Sequence, residues 1–150
     1  MCRDVSAIPM VCLVYSDEFL LHDTDLSRPE RPECLTAVVY EVKAMPWVTQ
    51  LRWRLPTPIA QRSLLTLVQQ VHSQEYIQKV KDMTEREGGE LHCDKAIVSW
   101  QIYDVVLLAV NAWLDGVDQV LATRSPTFVL AQSVAATLEG GLISRRRYID

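Results

Sequence analysis

The sequence predicts an α/β fold, a parallel sheet flanked by helices. Three short runs have the length and side-chain pattern of strands: 10–15 (MVCLVY), 51–55 (LRWRL) and 127–131 (TFVLA). Between them lie longer stretches whose apolar residues recur at helical spacing. Strand, helix, strand, helices, strand is the order that gives parallel pairing, because each return to the same end of a sheet needs a crossover.

Each element has its own justification. The run at 10–15 is continuously apolar, as in a strand buried on both faces. Residues 22–32 (HDTDLSRPERP) are polar and hold two prolines, which makes them a loop. Over 33–44 the apolar residues Leu35, Val38, Val39 and Val42 lie on one helical face, and Pro46 stops the helix. Residues 51–55 alternate strictly, a strand with one polar face. Pro56, Thr57 and Pro58 form a turn, with Pro58 placed to open a helix. Leu64, Leu65, Leu67 and Val68 give a short amphipathic helix, and Ser73 is an N-cap for the next, which turns Tyr76, Ile77 and Val80 inward and ends at Gly88-Gly89. After a loop through Asp94, Ser99 caps a long helix over 100–121. Its inward face is expected to carry Tyr103, Val106, Leu107, Val110, Trp113, Leu114 and Val117, and its outward face Asp104, Asn111, Asp115 and Asp118. The third strand follows Ser125-Pro126, and 132–150 show no clear period.

Composition narrows the function classes. The 150 residues are 49% hydrophobic with a net charge of −4, the balance of a single domain over 1–150 with no phosphate-binding footprint. No nucleic-acid partner is expected, and Arg145-Arg146-Arg147 reads as a solvated charge run. Cys2, Cys12, Cys34 and Cys93 form neither a C-x-x-C pair nor a metal-finger spacing, so a reduced, cytoplasmic protein is expected. The longest apolar stretch, 105–114, contains Asn111 and is bracketed by Asp104 and Asp115. That is too short and too interrupted for a membrane span, and no membrane partner is expected.

Residues 14–35 (VYSDEFLLHDTDLSRPERPECL) resemble an opening strand followed by an H-P-E-x-P-x-R-L loop. Residues 67–77 (LVQQVHSQEYI) resemble L-x-x-V-H-S-x-E-Y-I, and 94–129 resemble a rim-loop aspartate, a helix beginning near S-x-x-x-Y, and a strand F-V-L-A. In this order and spacing, over 11–131, the chain resembles the histone deacetylase, acetoin-utilisation and acetylpolyamine amidohydrolase family, in its bacterial form. The resemblance implies a partial arginase/deacetylase-like fold. It also implies a zinc-dependent hydrolase that removes acetyl groups from acetyl-lysine or acetylated amines. In that family two aspartates and a histidine hold zinc, which polarises the carbonyl and activates water. A tandem histidine pair supplies acid and base, and a tyrosine helps to hold the oxyanion.

The departures shape the expectation. The family strand runs into R-P-P-G-H-H-A, whereas here Gln132-Ser133-Val134-Ala135-Ala136 follow; no histidine follows His92, and no later acid stands in a D-x-H context. The family histidine before P-E-x-P is here Arg28, and the family arginine after it is Cys34. The expectation is a truncated N-terminal portion of such a domain, 132–150 being a divergent tail, inactive alone and holding no zinc or other cofactor. Its expected partners are a second copy or a full-length relative. The alternative is a non-enzymatic α/β module that docks a protein partner.

Catalytic and metal residues are therefore expected to be none. Asp94 is the candidate substrate-binding residue: the resemblance places it on the pocket rim, where it would accept hydrogen bonds from substrate backbone, while taken alone it is an ordinary loop aspartate. His72 reads as a structural hydrogen-bonder. His92, Cys93 and Asp94 are adjacent and diverge, so they make no zinc site. His22 has no base partner apparent in sequence, Ser16, Ser99 and Ser133 lack a nucleophile elbow, and Trp47, Trp53, Trp100 and Trp113 read as packing residues.

Overall fold

A computed structural model describes residues 10–22, 31–86, 89–91 and 96–131. The central strand, β1 (Val11–Val14), is buried at three consecutive positions, Cys12, Leu13 and Val14. Successive side chains of a strand point to opposite faces, so β1 must be covered on both sides, and it is. A short 3-10 turn, Asp17–Leu21, follows and buries Phe19. Next comes α1 (Pro32–Ala44), with proline in the first turn and Leu35 and Val39 buried. Met45, before Pro46, takes an extended backbone and ends it.

The second strand, β2 (Leu51–Arg54), alternates between half-buried and exposed side chains, as strict sequence alternation requires. Pro58 caps a single 3-10 turn, Ile59–Gln61, rather than opening a longer helix. Then come α2 (Leu64–Val68) and α3 (Gln74–Glu85); the Ser73 side chain accepts from the Tyr76 amide at 3.2 Å, the cap read from sequence. A short antiparallel hairpin follows, β3 (Gly89–Leu91) with β4 (Ala96–Val98). Sequence reading made this stretch a helix end and a loop. Three-residue strands carry too little alternation to register as a period. The chain then forms α4 (Ile102–Thr123) and β5 (Thr127–Val129).

Among the described residues the main sheet has the order β2-β1-β5, and both pairings are parallel: Val11 opposes Leu51, and Cys12 opposes Thr127. From β1 the chain moves one way to β2 through α1 and the other way to β5 through α4. Right-handed crossovers in opposite directions put their helices on opposite faces. This accounts for the two-sided burial of β1.

The orientation of α4 corrects the sequence reading. Asn111 and Asp115, expected on the solvent face, are buried at 0% and 1% exposure, while Trp113 and Val117, expected inside, are 56% and 53% exposed. The sheet is met instead by Val105, Leu108, Ala109 and Ala112, with Gly116 against β5. Part of the helix's polar side is turned inward, where Thr57 and Arg62 satisfy Asn111 and Asp115, so a pattern that usually marks solvent marks an interior contact here. Its N-terminus also differs: Gln101 stands at the cap with no side-chain bond, and Ser99 is used elsewhere. By length and composition α4 could cross a membrane, with a mean hydropathy of 1.5. It packs against the sheet on one side and α3 on another, and part of its apolar surface stays exposed.

Candidate functional site at the carboxyl ends of the strands

In open parallel sheets ligands bind beyond the carboxyl ends of the strands, at the point where the strand order reverses. Here that point is β1. Its end is tied to both neighbours: the Tyr15 amide donates to the Arg54 carbonyl at 3.0 Å, and the Leu130 amide donates to the Val14 carbonyl at 3.0 Å. Ser16 then turns the chain, accepting from the Glu18 amide at 3.2 Å. The Tyr15 ring meets Phe19 and Trp53 edge-on, each at 6.3 Å, and its hydroxyl donates to Asp17 Oδ1 at 2.8 Å. Burial, then the bond to Asp17 and the charge of that carboxylate, push the Tyr15 hydroxyl up to about 12. At neutral pH it is a neutral donor committed to Asp17. A cavity of about 190 Å³ opens here between Tyr15, Asp17, Lys43, Trp53 and Arg54, with the Lys43 ammonium 5.5 Å from the Trp53 ring centre.

His22, at the end of the same loop, is buried, with Nδ1 3.2 Å from Ser99 Oγ. The histidine that had no partner apparent in sequence thus pins the loop after β1 to the start of α4, and Ser99 serves this contact rather than a helix cap. His72 stacks on Tyr76 with ring centres 5.6 Å apart. Beside it, α2, α3 and α4 enclose an apolar cavity of about 260 Å³ walled by residues such as Val68, Tyr76, Val80, Val106 and Leu114.

Asp94 falls between β3 and β4 and lies outside the described residues, as do Arg28, His92, Cys93 and the stretch 132–150. Cys12 is buried and Cys34 is exposed in the first turn of α1. Asp17 and His22 are engaged with Tyr15 and Ser99 respectively, and among the described residues no three His, Cys, Asp or Glu side chains gather. The described residues at these strand ends therefore do not fit a tetrahedral zinc, which needs three or four converging ligands.

A polar cluster that sequence reading missed shapes the loop after β2. Asp115 accepts from the Thr57 amide, from Thr57 Oγ1 at 2.8 Å and from Arg62 Nη2 at 3.0 Å, and Asn111 Nδ2 donates to the Thr57 carbonyl at 2.8 Å. Arg62 reaches Asp118 as well, at 2.9 Å. The available signal was the Asn111–Asp115 pair, four residues apart in an apolar helix, where buried polar groups need named partners.

No family model matches the chain. The uncharacterized protein slr0245 of Synechocystis sp. is 46% identical over 123 residues, which cover 82% of this chain and 40% of that protein. The crystal structure of the HDA15 HD domain superposes with a TM-score of 0.67 at 18% identity, over 82% of this chain and 35% of that one. The fold is that of part of a histone deacetylase domain. The chain thus spans well under half the length of the relatives it matches. Of the three resembling segments, 14–35 begins at the last residue of β1 and ends in α1, 67–77 joins α2 to α3, and the third ends on β5, paired directly to β1.

Proposed function

We propose that the chain is the strand-and-rim portion of a zinc-dependent deacetylase domain, whose ancestral reaction removes acetyl groups from acetyl-lysine or acetylated amines. The observation that supports this most is the parallel β2-β1-β5 arrangement with the fold of a deacetylase domain. The first and third of the resembling segments meet in it, at Val14 of β1 and in β5. In this reading the carboxyl ends of β1, β2 and β5 form one wall of the site, and Asp94 is a substrate-binding residue on its rim. The zinc ligands and the tandem histidines belong to sequence that these 150 residues do not contain. The chain by itself binds no zinc and turns over no acetylated substrate. It acts in a reduced, cytoplasmic setting, without nucleic-acid or membrane partners.

The test is an acetyl-lysine peptide and acetylpolyamine hydrolysis assay on the 150-residue chain and on a covalent fusion to the remaining part of slr0245. The chain alone is expected to show no turnover above buffer, and the fusion to show turnover that a chelator abolishes. Chelator-sensitive turnover by the chain alone, from material free of host deacetylases, would overturn the reading, as would a folded but inert fusion.

A further inference from the structure

We infer that the apolar cavity walled by α2, α3 and α4 is a binding site for one uncharged alkyl chain of about ten carbons. It stands apart from the strand ends and from any substrate bound there.

The place of the cavity follows from α4. The sheet is met by Val105, Leu108, Ala109 and Ala112. Tyr103, Val106, Val110 and Leu114 stand about 150° around the helix from that row, so they face away from the sheet. They recur at i, i+3, i+7 and i+11, which makes one straight apolar stripe. The pair α2 and α3 lies over this stripe as a further layer, with the cavity of about 260 Å³ between them. The cavity reaches into the layer, since Val80 and Leu107 on its wall are only 5% and 9% exposed. At the Tyr103 end, Val80 and Ile102 form a buried cluster with Met83 packed against it. Leu67 and Val71, also on the wall but 40% and 61% exposed, mark the mouth on the α2 side.

The chemistry of the wall selects the guest. No Asp, Glu, Lys or Arg lines the cavity, and an ion placed there would lose its hydration with no counter-charge. Burial pushes the Tyr76 hydroxyl above its ordinary value, so this group on the wall is neutral at pH 7. Size and shape narrow the class further. An apolar cavity of about 150 Å³ holds benzene, so about 260 Å³ takes about ten carbons. From Tyr103 to Leu114 the wall runs for about three turns, about 16 Å. Spread over that length, the volume has a mean section of about 16 Å². That section excludes a partner helix, which is about 10 Å across. Ten carbons in an extended zigzag, with bonds of about 1.5 Å, span about 11–12 Å and fit lengthwise. The same carbons folded into fused rings would leave much of the length empty, and unfilled length forfeits contacts.

The experiment is calorimetric titration of the full 150-residue chain with straight-chain primary alcohols from hexanol to dodecanol. Affinity is expected to rise about fourfold per added carbon and to level off near about ten carbons, where the cavity is full. Val110→Phe, which fills the middle of the stripe, should weaken decanol at least about tenfold. Trp113→Asp, on the exposed flank of α4 outside the cavity, should leave the series unchanged. Circular dichroism reports whether each variant keeps its helices. Should Val110→Phe lose them, Val110→Leu carries the test, and its break should fall at a shorter chain. No saturable binding, a rise that continues to dodecanol without a break, or a series indifferent to the Val110 substitutions would each overturn the inference. So would indole binding more tightly than octanol, because it would make the site one for rings.

Discussion

Asp115 shows how much one residue can fix. Its carboxylate is buried and accepts from the Thr57 amide, the Thr57 hydroxyl and Arg62, which leaves it no reliance on water. Removing it strands a backbone donor, a hydroxyl donor and a guanidinium at once. Asp118 meets the same Arg62 but is largely solvent-exposed. Asp115→Ala is therefore expected to lower unfolding free energy by about 2–4 kcal/mol. Asp118→Ala should cost less than about 1 kcal/mol, the range of an exposed ion pair. Urea denaturation of both variants checks the contrast; equal losses would mean that the buried acceptor role is wrong. At this scale the sequence was only partly legible. Ser73 was recognisable as a cap because capping is local, between residues three apart. The His22–Ser99 and Asp115–Thr57 contacts join residues 77 and 58 positions apart, and nothing local announces them.

Between elements, α4 comes close to β5 at Gly116. A glycine within a helix costs about 1 kcal/mol relative to alanine, so alanine there would ordinarily stabilise. Here the added methyl would meet Val129 Cγ2 at 2.7 Å, and overpacking of that kind costs about 1–3 kcal/mol. The clash is the larger effect: Gly116→Ala should destabilise by about 1 kcal/mol, and Val129→Ala in the same chain should recover part of the loss. Thermal unfolding of the two single variants and the double variant would show this as non-additivity. Simple additivity would mean that the helix and strand do not press on one another there. Elements were the most legible scale from sequence. β1, β2 and β5 fall where the apolar and alternating runs stand, because parallel pairing demands those patterns. The orientation of α4 was not legible, since the polar side marked by Asn111 and Asp115 is turned inward onto Thr57 and Arg62. The β3–β4 hairpin was too short to show a period, and Asp94, the rim candidate, sits between its strands outside the described residues.

At the scale of the molecule, the described core is built around one strand. β1 is paired on both edges and covered on both faces, whereas β2 and β5 each keep a free edge among the described residues. Large apolar side chains gather in the open: Trp113, Val117, Val120 and Leu121 on α4, and Phe128 on the opposite face of β5. Unpaired strand edges beside apolar surface are templates for association. The HDA15 HD domain matched by this chain carries nearly two thirds of its length beyond the matched part. We therefore propose that the 150-residue chain alone self-associates. Sedimentation velocity should show an average mass that rises with concentration. The Trp113→Asp, Val117→Asp double variant should remain closer to monomer, because charge on the flank opposes any apolar partner. A wild-type monomer at every concentration, with one cooperative thermal transition at about 45–65 °C, would contradict this. It would favour the non-enzymatic interaction module, since such a chain would be stable with those faces open and would have them available for a partner of its own.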